Sequence, residues 1–274
     1  MILDKSSYFM GDIVKGCCYV DVKEFESNKM KLIVEGIEYV KITRSESISA
    51  NTSSTRSTYT EKEIIFSQNL SNFIDNSKLS HSDHNRMEIP FEFNIPENIL
   101  PSYEGKSARI LYEVKATIDK THAVDTNNSI ILNVSRKKDN TIHNNLITAT
   151  TTNTDKDNFA TLKIEKTSYF PDETMKGEIF MHKSISNLKR IELVLMGTEV
   201  SRAGGYTDYN KDELKENLDK YNNNLKQIPF EVKIPKDIKM SYKGKYSEFG
   251  WQFNIRFDRS FRSDINISIP VIIK

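Results

Sequence analysis

The sequence predicts an all-β protein made of two tandem antiparallel β-sandwich domains, one plan used twice. Three observations carry this. Tyr8-Phe9-Met10-Gly11-Asp12-Ile13-Val14-Lys15-Gly16 returns 161 residues later as Tyr169-Phe170-Pro171-Asp172-Glu173-Thr174-Met175-Lys176-Gly177, and the same offset carries Gly36 to Gly197 and Glu38 to Glu199. Pro90-Phe91-Glu92-Phe93-Asn94-Ile95-Pro96 returns as Pro229-Phe230-Glu231-Val232-Lys233-Ile234-Pro235 at an offset of 139, which also carries Ser102-Tyr103 to Ser241-Tyr242, Gly105 to Gly244 and Tyr112 to Trp251. Two offsets, each held over several residues, mean a duplicated domain whose internal loops differ in length. Finally, apolar and polar residues alternate through most of the chain with turns between the runs and no crossover helices, which favours antiparallel sheets.

The elements follow in order. Residues 13–22 and 31–40 are β-branched and alternate with period two, the pattern of half-buried strands. Residues 43–60 are dominated by Ser and Thr and read as a long exposed hairpin tip. Glu63-Ile64-Ile65-Phe66 resumes a strand, a polar stretch runs from Asn69 to Arg86, and Met87–Ile95 is a strand closed by Pro96, which lacks the amide hydrogen to extend a ladder. Pro101, Ser102 and Gly105 form a loop into 108–118, where Ile110, Tyr112, Val114, Ala116 and Ile118 share the inward face. Ser129–Val134 completes a first domain over 1–136. Residues 137–157, rich in Thr, Asn, Lys and Asp, read as a linker. The second domain, 158–274, repeats the strand plan with one departure. Leu214, Leu218, Tyr221 and Leu225 recur at helical intervals, so Asp212–Leu225 is expected to form a short amphipathic helix packed on its own domain.

Bulk properties exclude several classes. At 274 residues, each half can bury a core without covalent staples. Thirty-nine basic residues against 38 acidic ones leave a net charge of +1, so no global field selects nucleic acid. The two cysteines, Cys17 and Cys18, are adjacent in a strand and point to opposite faces, which suits a reducing compartment better than a disulfide framework. With no secretory leader and no run of apolar residues long enough to span a bilayer, the expected location is the cytoplasm, with peripheral membrane association as an added expectation.

Several blocks of the chain resemble the arrestin superfamily. Leu3-Asp4-Lys5 followed by aromatic, turn, Gly-Asp and Val-Lys-Gly resembles its opening strands. Ile89–Pro96 resembles its Pro-Phe-x-Phe-x-Ile-Pro strand, Tyr112-Glu113-Val114-Lys115-Ala116 matches a strand of its N domain, and Ser263–Val271 resembles the closing strand of its C domain. The resemblance covers nearly the whole chain and is closest to the tail-less α-arrestin type. It implies two immunoglobulin-like sandwiches and a non-enzymatic adaptor or scaffold with no cofactor. Such an adaptor binds cytosolic peptide tails of membrane proteins, acidic or phosphorylated ones included, and other trafficking proteins. A structural subunit of a retromer-like coat complex is the alternative it implies. There are departures. Ser6 and Ser7 stand where receptor-binding arrestins place an Arg and an Asp of a buried charge cluster, no autoinhibitory tail is expected, and the loop at Arg259–Ser263 is short. Leu100-Pro101-Ser102-Tyr103 only partly echoes a ubiquitin-ligase recruitment motif.

Candidate binding residues follow from that resemblance and from charge. Lys115 leads: the resemblance implies that it meets phosphorylated tails, with an extended peptide lying along its strand, and Lys5 sits at the family's strand-one Lys; an ammonium holds such groups by charge-assisted hydrogen bonds. Against this, most strand lysines simply face solvent. Residues 1–5 form a short edge strand that an extended peptide could join, unless it is paired within its own sheet. Arg44, Arg56 and Lys62 lie on or beside the long hairpin, in the position of a loop that relatives insert into partners. Arg256, Arg259 and Arg262 bracket the last turn and are candidates for anionic lipid, although a solvated face with Asp258 and Asp264 explains them as well. Enzyme readings fail on inventory. His81-Ser82-Asp83-His84 lacks a third distant ligand for a metal, and no glycine-rich phosphate loop or nucleophile elbow is present.

Overall fold

The computed structural model describes all residues except 22–28, 47–54, 72–79, 83–85, 120–123, 139–146, 151–158 and 219–225. It divides into two compact units, Met1–Lys137 with Ser201–Thr207 and Gly244–Ser247, and Lys138–Val200 with Asp208–Lys243 and Glu248–Lys274. Among the described residues there is no α-helix, and therefore none long and apolar enough to cross a membrane.

In the first unit, β1 (Ile2–Leu3), β3 (Ile13–Asp21), β7 (Arg86–Asn94) and β6 (Ser80–Ser82) form one sheet in the order β1-β3-β7-β6. The second sheet runs β2-β10-β9-β4-β5, from β2 (Ser7–Phe9), β10 (Thr126–Ser135), β9 (Ala108–Asp119), β4 (Lys29–Glu46) and β5 (Thr55–Asn69), with β8 (Tyr103–Glu104) on β9. All these pairs are antiparallel except β2 with β10. The expected inward face of β9 is buried, together with Val14, Cys18 and Val20 of β3 and Ile89 and Phe93 of β7. Burying one face of each sheet against the other is what period-two alternation encodes.

The second unit repeats the plan. Its smaller sheet runs β11-β12-β14-β17, from β11 (Ile147–Thr150), β12 (Ala160–Ile164), β14 (Thr174–Met181) and β17 (Gln227–Lys233). Its larger sheet runs β13-β20-β19-β15-β16, from β13 (Ser168–Tyr169), β20 (Ile265–Ile273), β19 (Ser247–Arg259), β15 (Leu188–Ala203) and β16 (Tyr206–Asn217), with β18 (Tyr242–Lys243) on β19. The conserved spacing has a packing cause. A β-carbon on Gly36 would lie 2.3 Å from the ring of Tyr112, its cross-strand neighbour, and one on Gly197 would lie 2.6 Å from Phe249 and 2.9 Å from Trp251. The aromatic ring lies in the space the missing side chain leaves. Tyr112 donates its hydroxyl hydrogen to the Leu100 carbonyl at 2.6 Å, and Trp251 donates its indole N–H to the Lys239 carbonyl at 2.8 Å. Leu100 and Lys239 stand 139 residues apart, so the Tyr-to-Trp change keeps a donor aimed at the same place.

Three expectations need correction. Asp212–Asn217 is the end of strand β16, not the start of a helix, and Leu214 is exposed rather than packed; Tyr221 and Leu225 lie outside the described residues. The reason is pairing: from the Gly204-Gly205 turn, β16 runs back along β15, and that ladder overrides leucine spacing. The stretch read as linker also contributes a strand, β11, which pairs antiparallel with β12. The hairpin read as an exposed tip is zipped as paired strands through Glu46↔Thr55.

Candidate functional site

The candidate site is built around β1. Among the described residues this two-residue strand is the outermost of its sheet and pairs on one side with β3, Ile2↔Cys17 and Leu3↔Gly16. The turn after it is tied down by Asp4, whose carboxylate accepts the Tyr8 hydroxyl at 2.5 Å and the Lys15 amide at 3.2 Å. The Tyr8 bond is the main reason the Asp4 carboxyl lies below the usual carboxylate range. Tyr8 is 1% exposed, and burial, reinforced by Asp4, pushes its hydroxyl up to about 12. The Tyr8 oxygen also accepts the Lys5 amide at 3.1 Å. This network fixes the chain direction out of β1 and leaves the Lys5 ammonium 5.8 Å from the Tyr8 ring centre. Among the described residues Lys5 makes no ion pair, whereas its repeat counterpart Lys166 is held by Glu173 at 2.7 Å.

Lys115 lies on the outward face of β9, 2.7 Å from Glu113 and 3.1 Å from Glu35 on the adjacent strand. The Glu113 bond, helped by Glu35 and opposed by partial burial, holds its ammonium above the usual lysine range. Two carboxylates share this one cation, so an incoming phosphate meets a locally negative surface. Lys5 and Lys115 therefore differ sharply as anion sites.

The hairpin residues also separate. Arg44 donates to the Thr207 carbonyl at 2.9 Å and lies 5.8 Å from the Tyr206 ring centre, a cation–π distance. Tyr206 in turn meets Tyr59 at a tilt, with ring centres 4.7 Å apart. Arg56 and Lys62 are exposed on β5. Close by, Glu38 is fully buried and accepts the main-chain amides of Lys245 at 2.9 Å, Tyr246 at 3.1 Å and Ser247 at 2.7 Å, plus the Ser247 hydroxyl at 2.7 Å. Three successive amides converging on one carboxylate make an anion cradle. The sequence showed Glu38 only as a repeat marker; its signal was a carboxylate standing at an inward strand position.

In the second unit Arg256 lies along β19, 3.4 Å from the buried Glu192 and 3.5 Å from Glu213. Arg259 sits at the β19–β20 turn and donates from two nitrogens to the Ser263 carbonyl. Arg262 reaches Ser186 at 3.4 Å. Phe261, which charge-based reasoning overlooked, is wholly exposed at the tip of that turn with φ of 61°. His81 lies in β6 while Asp83 and His84 fall outside the described residues, and no cluster of three or more His, Cys, Asp or Glu suited to a metal occurs among the described ones.

The family model for the N-terminal domain of arrestin (or S-antigen) matches residues 2–141, just over half of the chain and the whole of the sheet pair around β1. The chain belongs to the arrestin family. Arrestins are generally non-enzymatic adaptors, and the two all-β sandwich units of this arrestin are consistent with the arrestin fold. A search of the curated proteins finds no match.

Proposed function

We propose that this arrestin is an adaptor that holds extended peptide tails of membrane proteins along the outer edge of β1, with Lys5 capturing an acidic or phosphorylated side chain. One observation carries the reading. In the second unit, β12 stands at the position of β1, and β11 is paired antiparallel along its outer edge, Ile147↔Ile164 through Thr150↔Thr161. The chain thus contains its own example of a strand added at this edge. In such strand addition the ladder supplies affinity, while side chains and charge supply selectivity. Lys115, already shared by two carboxylates, has a secondary part.

The test titrates phosphorylated and unphosphorylated tail peptides against wild type, Lys5→Ala and Lys115→Ala by fluorescence anisotropy at two salt concentrations. Losing one charge-assisted bond is worth about 1.5–3 kcal/mol, so Lys5→Ala weakens the phosphorylated peptide roughly 10- to 100-fold. Equal, salt-insensitive binding in every combination refutes the charge capture.

A second reading, peripheral contact with anionic membrane, is favoured by Phe261, an exposed aromatic flanked by Arg259 and Arg262. An apolar ring with adjacent cations suits the headgroup boundary. Phe261→Ala and Arg262→Glu are expected to reduce co-sedimentation with phosphatidylserine vesicles; unchanged sedimentation by both variants rejects it.

A further inference from the structure

We infer that the first unit carries an aliphatic-ligand site at one end of its sandwich. A cavity of about 290 Å³ opens there between the two sheets, floored by Cys18 and Val20 of β3 and by Ala116 and Ile118 of β9, with Met1 and Met30 on its walls. Thr126 and Asn128 of β10 and Asp21 of β3 line its mouth.

The repeat supplies an internal control. On β14, the counterpart of Cys18 is Ile179, fully buried. On β19, Ala116 becomes Ile255 and Ile118 becomes Phe257, both fully buried. Register confirms the match: Thr126 pairs with Ile118 and Asn128 with Ala116, as Ile265 pairs with Phe257 and Ile267 with Ile255. The second unit therefore places large buried apolar side chains where the first has Cys, Ala, Thr and Asn. The smaller side chains at these matched positions of the first unit leave room that the bulkier ones of the second would occupy.

The cavity's chemistry selects an occupant. Its volume is about twice that of the roughly 150 Å³ apolar cavity known to take up benzene, so it holds about a dozen carbon atoms. The walls are apolar and include two flexible thioethers, which adapt to a chain of variable path. At the mouth, Thr126 and Asn128 offer hydrogen bonds to an uncharged head group. The ligand class is a single aliphatic chain with an uncharged hydrogen-bonding head group, such as a fatty alcohol or an N-acyl amide. This goes beyond peptide capture at β1 and does not depend on it.

The test uses the full chain with 1-dodecanol as probe and laurate as the anionic comparison. Saturating dodecanol is expected to raise the melting temperature of the wild type by about 5 °C or more, and to do so at a concentration at least ten times lower than laurate requires. Ala116→Ile combined with Asn128→Ile, which imports the second unit's residues, abolishes the shift. A readout free of cavity substitutions uses Cys17→Ser, in which dodecanol slows maleimide labelling of Cys18 at least fivefold. No shift and no protection, or a shift of equal size in the filled variant, overturns the site. Equal potency of laurate overturns the head-group assignment.

Discussion

Replacing Glu38 by Gln tests the buried carboxylate most directly. Glu38 Oε1 accepts the amides of Tyr246 and Ser247 and the Ser247 hydroxyl, while Oε2 accepts the amide of Lys245. A glutamine that keeps its oxygen at the Oε1 position must aim its NH2 at the Lys245 N–H, two donors facing each other. One charge-assisted bond is then lost and three others weaken to neutral ones, so the cost is about 2–4 kcal/mol. Relief by movement of the turn is limited, because Gly244 already sits against the carboxylate: a β-carbon there would lie 2.4 Å from Oε1. The assay is amide hydrogen exchange at Lys245, Tyr246 and Ser247, which reads local opening without assuming that a two-unit chain melts in one step. Exchange at these amides is expected to accelerate roughly 30- to 1,000-fold, each 1.4 kcal/mol being a factor of ten, with little change in β14. A change within threefold would show that water or other donors replace the carboxylate at little cost, and the reasoning would fail.

Other perturbations follow the same physics. Tyr8 has a folded-state pKa raised to about 12 against 10 for an ordinary tyrosine, so its stabilising contribution is present below pH 10 and is lost as pH rises towards 12; the expected loss is on the order of 2–3 kcal/mol. Urea midpoints measured from pH 9 to 12 should fall more steeply for wild type than for Tyr8→Phe, and parallel curves would count against the linkage. Gly36→Ala and Gly197→Ala each force a methyl into an aromatic ring and are expected to destabilise by about 1–3 kcal/mol; thermal melts unchanged from wild type would contradict the packing account. Arg44→Ala removes the bond to Thr207 and the cation over Tyr206, with an expected cost of about 1–2 kcal/mol. Differential scanning calorimetry checks it, and a loss below 0.3 kcal/mol would place Arg44 among the solvated residues.

Much of the fold was legible because its cause is local. Alternation along 108–118 states which side chains face inward whatever β9 pairs with, and the Gly36/Tyr112 and Gly197/Trp251 couples recur because each ring needs the space that glycine leaves. The misread segment, Asp212–Leu225, shows where local reasoning stops. Its leucine spacing fits a helix equally well, and only the return of β16 along β15 decides for a strand. Candidate site residues divide the same way. Lys5 was identified as a cation beside an edge strand. That Lys115 sits between Glu35 and Glu113 depends in part on a strand 80 residues away in sequence.

By itself, then, the amino-acid order determined the strand content, the duplication and the family, since each is written in periodicities and offsets that neighbouring residues carry. Tertiary structure alone decided which charges are already spent, that Glu38 is cradled by amides some 207 to 209 residues distant, and that a cavity opens at one end of the first sandwich. Those outcomes depend on which segments meet, and contacts between remote segments are set by strand register and side-chain volume together rather than by any stretch of chain alone.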